Sequence, residues 1–172
     1  MNPGLRSRVN QKLHQAWLLL EAAAHQADPL QEVAWQQACY EGAIKALEGA
    51  GRAFLKELAS AYRLPPEGIR SVNDLQQLAD RRSQTLPELV KWDIAARDKR
   101  HPLGQLNEHL RWMELQGLKP AAPSAPSTQG DIPLLVQEDN PNNPLVRLQQ
   151  ARDLHQGIKG LIETLRQGLY EE

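Results

Sequence analysis

One short run of charged residues carries the chemistry that this sequence could perform. Arg97, Asp98, Lys99, Arg100 and His101 follow one another and form the main basic cluster of the chain. An arginine followed by a histidine on one helix could bind a phosphate, or position and protonate it, if both side chains faced a cleft. Arg97 and His101 are therefore the candidate catalytic residues.

The spacing of this pair resembles the Arg-then-His motif of HEPN-type helical ribonucleases. That resemblance implies a nucleotide- or RNA-acting helical protein. The chain departs from the family pattern because only three residues separate Arg97 from His101 and because the residue after the arginine is an aspartate. The alternative, which we favour, is a solvated last turn of a helix, where the helix dipole favours cations.

Residues that bind metals or act as nucleophiles are too few or too widely spaced to form a site. The five histidines are His14, His25, His101, His109 and His155. They form no HxxxH or HExxH spacing, and one cysteine cannot build a thiolate zinc site. Cys39 has no histidine or basic neighbour in sequence, which predicts a buried, inert thiol. We expect no metal, no cofactor and no catalytic motif of a known class, which argues against an enzyme.

Composition narrows the partners and the compartment. The chain has 20 basic and 21 acidic residues, so its net charge of −1 creates no field that attracts nucleic acid or an anionic membrane. A single cysteine excludes an intramolecular disulfide. Its apolar runs are shorter than the roughly 20 residues that span a bilayer. We expect a cytoplasmic protein without a membrane or nucleic-acid partner.

Leucine, alanine and glutamine dominate the sequence and predict an all-α fold. The longest helical pattern covers residues 30–63, with no proline between Pro29 and Pro65. Its large residues recur at three and four positions and predict a core-facing stripe. This stripe consists of Tyr40, Ile44, Leu47, Gly51, Phe54 or Leu55, Leu58 and Tyr62.

Small residues form a second stripe on the same helix, and we predict that it is a helix-contact face. Its members are Ala38, Gly42, Ala46, Gly49, Ala50 and Ala53. Glycine inside a helix costs about 1 kcal/mol relative to alanine, so its use there favours close approach of another helix. That helix could belong to this chain or to another subunit. A flexible or kinked middle is the alternative.

The remaining helices are delimited by capping signals. A first helix over 5–27 buries Ala16 or Trp17, and the short turn after it predicts antiparallel packing on the long helix. Ser71 should cap a helix to residue 80. Thr85 and Glu88 should form a capping box for a helix to residue 100.

A further helix begins at Pro102 and stops at Gly117, and Asn143 caps a last helix that runs to residue 170. Residues 119–143 are rich in proline and alanine and predict an extended linker. Within it, the apolar segment 132–136 either docks on the bundle or is presented to a partner. The predicted organisation is a bundle core at 1–118, the linker, and a helix within 144–172 that packs on the bundle as part of a single domain.

The aromatic residues suggest core positions. Trp17, Trp35, Trp92 and Trp112 are distributed over four predicted helices. A further hypothesis is a small-ligand pocket inside the bundle. Trp17, Tyr40 and Phe54 would line it.

Two sequence motifs resemble an uncharacterised family of small helical proteins from pseudomonads and their relatives, catalogued as a domain of unknown function. The motifs are Asn10-Gln11-Lys12 near the start of the first helix and Tyr62-Arg63-Leu64-Pro65 at the end of the long one. The resemblance covers the first half of the chain. It implies a bacterial, cytoplasmic helical bundle and brings no activity or catalytic residue with it.

These observations predict an up-and-down bundle of four main helices with one or two short ones. The function that they favour is a non-enzymatic protein-interaction or scaffold module that contacts a protein partner or its own copy. The alternative is the HEPN-like activity at Arg97 and His101.

Overall fold

The computed structural model describes residues 3–116 and 143–169, and every regular element in those two ranges is an α-helix. The helices are α1 (Pro3–Ala22), α2 (Pro29–Ala61), α3 (Val72–Arg81), α4 (Pro87–Arg97), α5 (Pro102–Gln116) and α6 (Pro144–Gly168). The prediction of an all-α fold is confirmed. The expected linker, apart from Asn143, lies outside the described residues, as do the segment 132–136 and the expected helix ends at residues 117 and 170.

Helix α2 is the centre of the bundle and contacts each of the other five helices. It begins where the Asp28 carboxylate accepts a hydrogen bond of 3.0 Å from the amide of Leu30, with Pro29 in the first turn. It ends before Arg63, whose φ of 56° leaves the helical region. The large-residue stripe is buried as predicted, from Tyr40 to Leu58. Each buried side chain of this size contributes about 1.5–3 kcal/mol.

Helices α1 and α2 pack antiparallel, as the short turn predicts. The indole nitrogen of Trp35 donates to the carbonyl of Ala22 at 2.8 Å, near the turn. Further along α2, Gly42 lies against Leu19, and Gly49 lies against Lys12. The residue numbers of the contacting positions therefore decrease along α1 as they increase along α2, so the two helices run in opposite directions.

The boundaries and stripe of α1 differ from the prediction. The helix ends at Ala22, five residues before residue 27. The structure buries Ala16 and leaves Trp17 44 % exposed. The close approach of α2 explains why Ala16 and not Trp17 is buried, because a small side chain fits between the two backbones and an indole does not.

Capping around α3 was predicted correctly, but the cap of α4 was not. Ser71 and Asp74 exchange side-chain and backbone hydrogen bonds in a complete capping box. At α4 the predicted box between Thr85 and Glu88 is wrong. Pro87 occupies the first turn, which makes Leu86 the N-cap and leaves no side-chain cap bond.

Glu88 instead points into the bundle, where its carboxylate accepts a hydrogen bond of 2.6 Å from the hydroxyl of Tyr62. Helix α4 also ends at Arg97, three residues earlier than expected. The turn that follows brings α5 back against α4.

Helix α6 closes the bundle against α1, α2 and α5. Asn143 caps it as predicted, by accepting a hydrogen bond of 3.0 Å from the amide of Leu145. Its apolar stripe is buried and comprises Leu148, Ala151, Leu154, Ile158, Ile162 and Leu165. Two grooves remain on the sides of α1, one towards α2 and one towards α6.

Candidate functional site

The structure places Arg97 and His101 in separate local contacts. The side chain of Arg97 is 79 % exposed, and its Nη2 atom lies 2.9 Å from the Asp93 carboxylate one turn earlier on α4. The Nδ1 atom of His101 accepts a hydrogen bond of 3.1 Å from the amide of Leu103 in the first turn of α5. One side chain is engaged on α4 and the other at the start of α5, so neither contact prepares a shared phosphate site.

The three aromatic residues of the hypothetical inner pocket do not come together. Trp17 lies on α1 and is 44 % exposed. Tyr40 and Phe54 are fully buried, and their rings contact Trp112 and Trp92 respectively. Since each ring packs in a different part of the molecule, this set of residues lines no common cavity.

The small-residue stripe on α2 lies beneath α1 for part of its length. Ala46, Ala50 and Ala53 are buried, whereas Ala38 is exposed. A Cβ atom added to Gly42 would lie 3.0 Å from Leu19 Cδ1. At Gly49, a Cβ atom would lie 3.2 Å from the Lys12 side chain.

A groove of about 420 Å³ opens on this face between the two helices, and we call it the α1–α2 groove. Its lining residues are Lys12, Gln15, Leu18, Leu19, Gly42, Lys45 and Ala46. Leu18 is 48 % exposed, although it is a large apolar residue. Lysines lie on both helices that form the groove, and Lys45 Nζ is also 3.4 Å from Glu48. The groove thus has an apolar floor with cations beside it.

The second groove lies between α1 and α6 and has mixed character; we call it the α1–α6 groove. It combines adjoining cavities of about 410 and 470 Å³ that share four lining residues. These four are Asn10, Lys159, Glu163 and Arg166. Leu13, His14, Trp17 and His155 line the first cavity in addition.

A buried ionic network forms the base of the α1–α6 groove. Glu57 of α2 is fully buried, and its two carboxylate oxygens accept hydrogen bonds of 2.9 and 2.7 Å from Nε and Nη2 of Arg166. Arg166 also donates from Nη1 to Asn10 Oδ1 at 3.0 Å. This bidentate geometry satisfies both carboxylate oxygens of a charge that burial would otherwise destabilise strongly.

Sequence reasoning missed the network. The available signal was Glu57 itself. It lies one helical turn after Ala53 on the small-residue face, where a charged side chain is unexpected in a contact between helices. In the sequence, Asn10 stands out only as part of the Asn10-Gln11-Lys12 motif. Its partner lies 156 positions away in sequence, so no local pattern connects the two residues.

His155 connects α6 to α1 at the side of this groove. Its Nε2 atom lies 3.0 Å from the carbonyl oxygen of Leu13 and donates to it in the neutral ring. Burial lowers the pKa of His155, the bond to Leu13 partly opposes that shift, and the charge of Lys159 adds to it. The ring is therefore held neutral near pH 7.

Another buried polar cluster lies where α2, α5 and α6 meet. The hydroxyl of Tyr40 is 2.6 Å from His109 Nδ1, and the Arg147 guanidinium lies 3.2 Å from the centre of the Trp112 ring. Burial raises the pKa of Tyr40, and burial together with Arg147 lowers the pKa of His109. The phenol therefore stays protonated and donates a hydrogen bond to the neutral imidazole. Burial also raises the pKa of the Cys39 thiol, as expected for an inert cysteine.

We expect the free energy of unfolding to fall as the pH drops from 7.5 to 5.5. The folded-state pKa values of His109 and His155 lie below the ordinary value near 6.5, so the unfolded chain binds more protons in this range. The stability that the neutral rings contribute is complete above about pH 6.5 and is lost as the pH falls towards the folded-state pKa values. Urea unfolding at several pH values measures this slope.

A pair of variants assigns the slope to the buried rings. His155→Gln, which can still donate to the Leu13 carbonyl, should make the slope shallower. His25→Gln changes an exposed residue after α1 and should leave the slope as it is. An equal slope in all three proteins would contradict the assignment.

Within residues 3–116 and 143–169, no group of three or more histidine, cysteine, aspartate or glutamate side chains is arranged to hold a metal ion. Among the helices of the same ranges, none has the length and apolarity that a membrane span requires.

Comparison with known proteins assigns the chain to a family. A family model described as "Family of unknown function (DUF6586)" matches residues 1–172. The match covers the whole chain, which corrects the expectation that only the first half resembles such a family. No curated protein and no solved structure matches.

Proposed function

Since the chain belongs to the family of unknown function DUF6586, whose name carries no activity, we propose a function from its surface. The protein is a non-enzymatic protein-interaction module, and its α1–α2 groove receives an amphipathic helix of a partner protein.

The observation that supports this proposal is the half-exposed Leu18 beside the small residues Gly42 and Ala46 in the α1–α2 groove. Small residues let a second helix backbone approach, and helices pack at about 8–10 Å between their axes. Apolar side chains that recur at three and four positions on such a helix would contact Leu18 and Leu19. This is the helix-in-groove mode of peptide recognition.

The charges beside the groove select the partner. Lys12 on α1 and Lys45 on α2 both line it, so a helix with acidic residues beside its apolar stripe would be complementary. A second copy fits less well, because a two-fold contact brings the same patch of both subunits together. The four lysines of such a dimer would then face one another.

The other hypotheses from the sequence fit this proposal in different degrees. Arg97 and His101 occupy separate local contacts. The HEPN-like alternative therefore gains no support from the geometry. We further propose the bacterial origin that the family resemblance implies, and a cytoplasmic location, which a single cysteine that is buried and unpaired supports. The division into a bundle core, a linker and a docked last helix also remains a proposal.

The test uses a matched pair of substitutions. Leu18 and Val90 are both 48 % exposed, but Val90 lies on α4, away from the groove. A displayed library of amphipathic helical peptides is selected against the full chain, and the affinities of enriched peptides are measured. We expect acidic residues beside the apolar stripe, a loss of affinity of roughly tenfold or more with Leu18→Glu, and unchanged affinity with Val90→Glu.

Peptides that bind Leu18→Glu as well as the parent would overturn the proposal. So would a dimer in analytical ultracentrifugation that Leu18→Glu dissociates, since the occupant would then be a second copy. Matching melting temperatures of the two variants show that both remain folded.

A further inference from the structure

We propose that the α1–α6 groove is a binding site for a small ligand in which a short spacer joins an oxyanion to a planar ring. The site is separate from the α1–α2 groove and does not depend on the proposed function. Its two ends are built differently, and each end indicates one part of the ligand.

Arg166 forms the oxyanion end. A guanidinium has five N–H donors, and Arg166 uses one from each of its three nitrogen atoms on Glu57 and Asn10. One N–H on each of the two terminal nitrogens therefore remains for a ligand. Because Arg166 lines both cavities of the groove, a ligand bound there would lie next to its guanidinium.

Glu57 has two consequences for this end of the site. It neutralises the Arg166 charge, so Arg166 contributes directed hydrogen bonds more than long-range attraction. It also fixes the guanidinium in one orientation, which reduces the cost of ordering it when a ligand binds. Lys159, whose side chain is 54 % exposed, supplies a second cation at this end, and it lies 3.9 Å from Glu163. Their pairing is weak at this exposure and can rearrange around an anion.

Trp17 and His14 form the ring end. Their rings are 5.5 Å apart between centroids and inclined by 19°, so the imidazole stacks on the indole. The indole remains 44 % exposed in the groove, where it can stack on a planar ligand. Leu13 adds apolar surface between the two ends.

The spacing along α1 sets the length of the ligand. His14 and Trp17 follow Asn10 by four and seven residues, which corresponds to about 6–10 Å along the helix. The first cavity, at about 410 Å³, has room for one small molecule of that length. A ring that carries either a phosphate or a carboxylate at this distance would suit both ends of the site. The calorimetry below distinguishes the two oxyanions.

The competing explanation is a network that only stabilises the fold. It predicts no role for Lys159 or Trp17, which are outside the ion pair. Substitutions at these two residues therefore test the ligand site, and their exposure keeps the risk of unfolding low.

Isothermal titration calorimetry on the full chain compares four probes: AMP, adenosine, 3-indolepropionate and inorganic phosphate. We expect AMP or 3-indolepropionate to bind, with adenosine and phosphate at least roughly tenfold weaker because each lacks one part of the ligand. Binding of AMP alone assigns a phosphate, and binding of 3-indolepropionate alone assigns a carboxylate.

Lys159→Ala and Trp17→Ala should each weaken the binding probe by about fivefold or more, whereas Lys91→Ala, an exposed residue on α4, should not. Absence of heat with all four probes at millimolar concentration would overturn the proposal. Binding that neither variant weakens would also overturn it. Melting curves confirm that the variants are folded.

Discussion

Replacing Glu57 with leucine should lower the free energy of unfolding by about 3–5 kcal/mol, because the substitution leaves the buried Arg166 guanidinium without its carboxylate. The carboxylate is fully buried and binds Arg166 through both oxygens, so water cannot replace it. Urea or guanidinium unfolding, monitored by circular dichroism, measures the change.

The double variant Glu57→Leu with Arg166→Met is the control. Replacement of both charges by apolar groups of similar size should recover most of the lost stability, since no unpaired charge remains. Asn10 would lose its hydrogen bond from Arg166, but its side chain would still be solvated by water in the α1–α6 groove. A single variant as stable as the parent, or a double variant as unstable as the single one, would contradict this account of the network.

Replacing Gly104 with alanine should lower the free energy of unfolding by about 2–3 kcal/mol. A Cβ atom at this position would overlap the carbonyl oxygen of Asp98 and would lie 2.7 Å from its carbonyl carbon. These are backbone atoms of the turn between α4 and α5, so no side-chain rotation can relieve the overlap. The turn has to open, which separates α5 from α4. Chemical unfolding measures the loss.

Gly160→Ala is the matched substitution. Gly160 lies within α6, and apart from its chain neighbours and the backbone of the adjacent helical turns, no atom of the described residues comes within 4 Å of a Cβ added there. This change should raise stability by about 0.5–1 kcal/mol, because alanine favours the helix and the unfolded chain loses freedom. Equal effects at Gly104 and Gly160 would show that the α4–α5 turn is not as tightly packed as described.

The helices could be predicted because their signals are local. Period, proline positions and caps such as Ser71 and Asn143 lie within a few residues of the structure that they determine. The cap at Thr85 failed although its pattern was correct. A proline at the first helical position moved the N-cap to Leu86, and Glu88 found a better partner in Tyr62, 26 residues away.

The candidate sites could not be predicted in the same way, because they depend on distant residues. Asn10, Glu57 and Arg166 come from α1, α2 and α6, and only the packing of all three helices brings them together. The small-residue stripe was visible in sequence. That α1 covers Gly42 with Leu19 and Gly49 with Lys12 but leaves a groove beside them depends on the angle between two helices, which periodicity does not determine.

Photo-cross-linking from the α1–α2 groove tests the proposed function most directly. A benzophenone amino acid replaces Gln15, which lines the groove, and in a control protein it replaces Lys91 on α4. After irradiation in cells, mass spectrometry identifies the attached peptide. We predict one partner whose cross-linked segment is an amphipathic helix with acidic residues beside its apolar stripe, attached at Gln15 but not at Lys91 and lost with Leu18→Glu. Cross-links that are the same at both positions, or that persist with Leu18→Glu, would contradict the proposal.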